Sequence, residues 1–180
     1  MKREVNVALI IGIFITIACI IILILDIKVG IVGTYQYDKQ YQSYWDLSDK
    51  SSTIAKKSEY IDKFVSAIKL GKFENQYDAI YLTTPNNSFN SNFEALLTLQ
   101  QRLHEISKMD VSSFQYQIAI QQITEQEQGE AYNMLNVFSG IWWKTNHTML
   151  YSWIGYIQVI VVIIFLIIGI IIWSNSYDYY

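Results

Sequence analysis

The chain has one cysteine and one proline in 180 residues, and only 16% of its residues are charged. A single cysteine excludes an intramolecular disulfide scaffold. One proline and eight glycines exclude collagen-like and proline-rich disordered chains. Soluble domains run nearer a quarter charged, so the deficit argues against an ordinary soluble protein. A net charge of −3 gives no electrostatic footprint for DNA or RNA, and no nucleic-acid partner is expected.

Several chemistries lack their motifs. There is no G-x-S-x-G elbow, no phosphate-binding G-x-x-x-x-G-K-[ST] and no G-x-G-x-x-G. With two histidines and no H-E-x-x-H, Glu-x-x-His pair or cysteine pair, neither a metal nor any other cofactor is expected. The expectation is a protein that is not an enzyme.

What is abundant is apolar and aromatic residues, 52% and 15%. The apolar excess sits at the two ends. Residues 5–25 carry no charge, and at 1.5 Å per residue they make roughly 30 Å of helix, the thickness of a bilayer's hydrocarbon core. Residues 153–173 form a second such run, broken only by Gln158. A charge at the centre of a membrane helix costs about 3 kcal/mol, so its absence over two such lengths predicts two transmembrane helices. The first run is too long for a signal peptide's apolar core, and no A-x-A site follows it.

Ala8, Gly12 and Thr16 recur at four-residue spacing on one face of the first span. Small faces let membrane helices approach closely, which makes this a candidate packing seam for the second span, a sister copy or another subunit. Trp153 and Tyr156 at one end of the second span, and Trp173 at the other, are candidate interfacial aromatics. Gln158 reads as an interfacial amide and Cys19 as a packing residue. Lys2 and Arg3 place the N-terminus in the cytoplasm, and two spans bring the C-terminus to the same side. The tails are then residues 1–4 and 174–180, and residues 26–152 lie on the opposite side.

That middle segment is read as a bundle of three to four helices, giving an all-α membrane protein with a span at each end of the chain. Residues 26–34, with Gly30 and Gly33, predict a flexible exit from the membrane. Tyr37, Tyr41, Tyr44 and Trp45 follow at helical spacing and pair with Trp142 and Trp143 as lower core. Leu47, Ile54, Ile61 and Ile68 form an amphipathic stripe that Gly71 stops, with a break at Ser51 or Ser52. Residues 83–92, TTPNNSFNSN, are the clearest turn in the chain. Asn92 is the expected cap of the next helix, and Asp110 or Ser112 of the one after, which runs from Val111 to about Gly140 or on towards the second span.

The most unusual stretch is residues 115–130, QYQIAIQQITEQEQGE. On a helix Ile120, Ile123, Glu127, Ala131 and Met134 share a face. Glu127, with Gln121 and Gln128, is a candidate polar layer, although a boundary glutamate reaching water along its own stem fits the pattern better. Two N-x-[ST] sequons make Asn86 and Asn146 candidate glycosylation sites.

These features converge on an integral membrane structural or accessory subunit. Its expected partners are the lipid bilayer and other membrane subunits or further copies of itself, met through protein contacts. In outline, span, helices, span resembles the helical-bundle sensors of chemoreceptors, which implies an alternative as a ligand sensor signalling through a partner. A membrane component of a viral or organelle assembly is a further alternative.

Overall fold

The order of elements follows from where apolar residues recur every three or four positions and where capping side chains interrupt them. The computed structural model describes residues 2–79, 82–147 and 153–177. Within these, the side chains of residues 2–6, 8, 9, 124–130, 153, 154, 173 and 175–177 are outside the description. Six α-helices are present: α1 (Lys2–Tyr37), α2 (Ser43–Asp49), α3 (Ile54–Leu70), α4 (Phe89–Ser107), α5 (Phe114–Asn146) and α6 (Trp153–Tyr177). Among the described residues there is no strand, only an isolated bridge between Tyr77 and Ser88. The chain divides into two compact units, residues 1–33 with 148–180, and residues 34–147.

The first unit holds the two apolar helices. The expected flexible exit at residues 26–34 is absent, because α1 continues through Gly30 and Gly33 to Tyr37. Each glycine costs a helix only about 1 kcal/mol relative to alanine. The aliphatic residues around them are helix-compatible, so nothing here favours opening the hydrogen-bond ladder. α6 likewise runs on to Tyr177, past the expected end of the second span at Trp173.

In the second unit α1 passes into α2 through a π turn, Asp38–Gln42, where Ser43 N–H reaches Asp38 O five residues back. The turn has a packing reason. Tyr37, Tyr41 and Trp45 are all buried, at four-residue steps. In an α-helix each such step overshoots a full circle by about 40°, and a wider turn takes up the excess. Ser51 Oγ donates to Leu47 O where α2 ends, and Thr53 caps α3 by accepting from Lys56 N–H at 3.3 Å. On α3, Ile61, Phe64, Val65 and Ile68 face inward. On its exposed side Glu59 bridges Lys56 and Lys63, and these two ammonium groups hold its carboxyl at about 2.

Gly71 ends α3, but not through a left-handed conformation, since its φ is −68°. The reversal falls on Lys72 and Asn75, with φ of 55° and 59°. Gly71 is required for space: a Cβ there would run into the ring of Phe73, which folds back over the helix end. The turn into α4 is locked by Asn75 and Asn90, whose side chains pair at 2.9 Å, and by Asn87, which accepts from Thr84 N–H and donates to Leu82 O.

The cap of α4 is Ser88, accepting from Ser91 N–H, and not Asn92. Asn92 sits one turn in, where its amide donates to Asn86 O and Ser88 O. Ser113 caps α5, accepting from Tyr116 N–H at 3.2 Å. Asp110 instead turns the preceding link by accepting from Ser112 N–H and Oγ. Serine, asparagine and aspartate all satisfy helix-start donors, so composition alone does not select the residue whose backbone is extended. α5 extends to Asn146, the longer of the two expected extents.

The core of this unit is a connected run of rings. Trp142 meets Tyr37 at 5.6 Å, Tyr37 meets Tyr41 at 5.4 Å, and Tyr41 meets Phe73 at 6.1 Å. Phe73 continues to Phe89, Phe138, Phe64 and Trp45. Burial pushes the Tyr37 phenol well above its ordinary value, with Tyr41 and Asp38 adding to the shift. Its hydroxyl is buried with no hydrogen-bond partner among the described residues.

Two substitutions probe this core with opposite expected signs. Phe138 is fully buried between Phe64 and Phe89, so Phe138→Ala lowers stability by about 3–5 kcal/mol. Tyr37→Phe keeps the ring contacts and removes an unsatisfied hydroxyl, so it raises stability by about 1 kcal/mol. Denaturant unfolding of the full chain in mild detergent, followed by near-UV circular dichroism, reads both.

Candidate functional site

Within the first unit, α1 and α6 lie antiparallel along a seam of small residues. A Cβ on Gly12 would sit 3.1 Å from Ile172 Cγ2 and 3.3 Å from Gly169 O. A Cβ on Gly169 would sit 2.6 Å from Thr16 Oγ1 and 3.2 Å from Gly12 O. Thr16 Oγ1 donates to Gly12 O at 2.9 Å, satisfying its hydroxyl inside its own helix. The least exposed positions of α1 continue through Cys19, Leu23 and Asp26 at alternating three- and four-residue steps. On α6 they include Gly155, Gln158, Val162 and Gly169. The Ala8 side chain lies outside the described residues.

One polar contact belongs to this seam. Gln158 Nε2 lies 3.4 Å from both carboxylate oxygens of half-buried Asp26. The amide is therefore directed at the neighbouring helix. Tyr156 is 64% exposed. The Trp153 and Trp173 side chains are outside the described residues.

The glutamine-rich stretch is the N-terminal half of α5. Ile123, Ala131 and Met134 are buried, Ile120 is half-buried and Gln121 is exposed. The Glu127 and Gln128 side chains, the centre of the candidate polar layer, lie outside the described residues. Asn86 is exposed in the short 3-10 turn Pro85–Asn87. Asn146 is the last residue of α5, and its amide donates to Trp142 O at 2.9 Å. Thr148 of its sequon is outside the description. Among the described residues no three of His, Cys, Asp and Glu come together as a metal site. The nearest approach to such a cluster is exposed: Asp62 on α3 accepts from Gln100 Nε2 at 2.7 Å and lies 3.1 Å from His104 Nε2.

The structure also shows a site that sequence reasoning missed. A cleft of ≈770 Å³ opens between α4, α5 and the Pro85 turn, with Trp45 in its lining. Its apolar lining includes Leu99, Met134 and Val137. Its polar lining includes Asn92, Thr98, Arg102, Asn133 and Asn136. Among the described residues the charged member of its lining is Arg102. A smaller hollow of ≈540 Å³ lies beside α2 and α3 and shares Trp45 and Ala131 with the cleft. The volume of the cleft falls in the range of ligand pockets. The signal available in the sequence was the asparagine content of residues 83–92 and 133–136, which reads more readily as turn and helix surface.

The chain matches no family model, no curated protein and no solved structure.

The seam yields a paired prediction. Gly169→Ala drives a methyl group against Thr16 and the Gly12 carbonyl, and overpacking of this kind costs about 1–3 kcal/mol. Gly30→Ala has nothing within 4 Å of the new Cβ and improves helix propensity. Introduced cysteine pairs spanning the α1–α6 seam should cross-link more slowly in Gly169→Ala and at the parent rate in Gly30→Ala.

Proposed function

We propose that this protein is an integral membrane protein of two spans, α1 and α6, which carries the unit 34–147 as a contact module for other polypeptides. In this reading it is a structural or accessory subunit and not an enzyme.

The observation that carries the proposal is the surface of the two apolar helices. Away from the seam their aliphatic and aromatic side chains are exposed on the remaining faces: Phe14 is 74% exposed, and Ile24 and Ile160 are each 57% exposed. Residues 155–172 and the apolar part of α1 are both long and apolar enough to cross a bilayer. Such a continuous apolar surface far exceeds the patches that water-exposed proteins carry, and lipid is the solvent that accepts it. Asp26 on α1 and Gln158 on α6 face each other across the seam, so these two polar groups are turned away from lipid. Lys2 and Arg3 favour a cytoplasmic N-terminus, with the contact module on the opposite side.

The contact role draws on the second unit. Val111 in the link before α5, and Phe114 and Ile118 at its start, are exposed by 68%, 73% and 40%. Three large apolar side chains close together in sequence at one helix end form the kind of surface a partner covers.

The test is an alkaline carbonate wash of the native membrane, then mild detergent extraction of the tagged protein with native mass measurement. The expected outcome is retention through the wash and release as a complex of fixed stoichiometry containing other membrane polypeptides. Recovery in the aqueous wash overturns the spans. Release as a lone monomer overturns the subunit role and turns attention to the ligand-sensor alternative.

A further inference from the structure

We infer that Asn86 carries an N-linked glycan, added before the chain folds, and that Asn146 of the second sequon carries none. The inference rests on the proposed topology, with residues 34–147 on the side opposite the cytoplasm, and names a modification of that unit.

The two sequons differ in what their acceptor amides do. Acceptor asparagines belong to surface loops. Asn86 stands in the turn Pro85–Asn87, where its carbonyl accepts from Asn92 Nδ2 at 2.9 Å and its side chain is exposed. Asn146 is the last residue of α5, and the nitrogen that would bear the sugar donates to Trp142 O at 2.9 Å. That bond closes within one helical turn. It forms with the helix itself, on a timescale of about a microsecond.

In the transfer, Asn86 Nδ2 attacks the anomeric carbon of a lipid-phosphate-linked oligosaccharide. The carbon–nitrogen bond forms, the bond from that carbon to the phosphate oxygen breaks, the lipid phosphate leaves, and the amide proton passes to a base of the transferase. The transferase also reads the hydroxyl two residues on, as the sequon requires. In the folded chain that hydroxyl is withdrawn. Ser88 is 8% exposed, and its Oγ accepts from Ser91 N–H. Asn87 between them is tied to Thr84 N–H and Leu82 O. Transfer therefore precedes closure of the turn.

The fold provides the delay. Phe89, next to Ser88, packs at 5.6 Å against Phe138. Phe138 is made about 50 residues later, so it follows Phe89 by roughly 2–10 s at ordinary rates of synthesis. Once the turn has closed, the sugar projects from an exposed side chain, and the bundle holds it without repacking.

The test is peptide mass spectrometry of the full-length protein from its native membrane. A sugar mass is expected on the peptide bearing Asn86 in most copies, and none on that bearing Asn146. Asn86→Gln should lose the mass with unchanged helix content, and Ser88→Thr, which keeps cap and sequon, should retain it. Chains completed while the lipid-linked donor is depleted, and resupplied after folding, should gain at least tenfold less sugar. Equal gain overturns the timing. Topology is read separately, with a membrane-impermeant maleimide applied to each face of the membrane against Val111→Cys in a Cys19→Ala background. A bare Asn86 with Val111→Cys labelled from the non-cytoplasmic face overturns the acceptor while the topology stands. A bare Asn86 with labelling from the cytoplasmic face overturns both. Sugar on Asn146 in place of Asn86 also overturns the inference.

Discussion

The second unit depends on one continuous run of aromatic contacts from Trp142 through Tyr37, Tyr41, Phe73, Phe89, Phe138 and Phe64 to Trp45. These rings come from the end of α1, the π turn, α2, α3, the loop after it, α4 and α5. Each helix of the unit contributes at least one. A domain of this size without a disulfide has little surplus stability. Aromatic side chains bury the most area per residue at few rotatable bonds, and their edge-to-face pairs add about 0.5–1.5 kcal/mol each beyond burial. That accounts for the π turn: without it Trp45 would rotate away from Phe64, and the run would break at α2.

The first unit solves the opposite problem. Its side chains are nearly all aliphatic, so in the lipid environment proposed for it apolar attraction would not distinguish one helix face from another. What distinguishes the α1–α6 seam is absence of bulk at Gly12 and Gly169, which brings backbones close enough for Thr16 to sit against Gly169. Asp26 and Gln158 then fix the register, because a slip by one turn would leave a carboxylate and an amide facing apolar surface.

Much of this was legible in the sequence, and the limits of legibility have physical causes. Ile61 and Ile68 of the stripe and Leu96, Leu103 and Ile106 of the inner face follow helical period and are buried, while Ile54 is half-buried and Leu47, in α2 before the break, is 44% exposed. Gly12 and Thr16 stood out as small residues on one face, but the chain gives no sign that Gly169 answers them, since one glycine in an isoleucine-rich helix has no pattern around it. Gly30 and Gly33 suggested a break because propensity is read locally, while the cost of opening the ladder is set by both flanks. The caps were misplaced by one to four residues because serine, asparagine and aspartate are chemically interchangeable at a helix start, and only backbone direction separates them. The cleft was not legible at all. Asn133 and Asn136 look like ordinary exposed helix residues until α4 and the Pro85 turn are placed opposite them.

The cleft and the core meet at Ala131. Trp45 and Ala131 line both the ≈770 Å³ cleft and the ≈540 Å³ hollow on its other side. Above and below, α5 commits large side chains to the core, with Ile123 on one side and Met134 and Phe138 on the other. At Ala131 it contributes a single methyl group. A larger residue there would fill the hollows and add burial. The small one instead leaves space where Trp45 borders both hollows. The arrangement gives up packing close to Asn133 and Asn136, whose side chains are exposed.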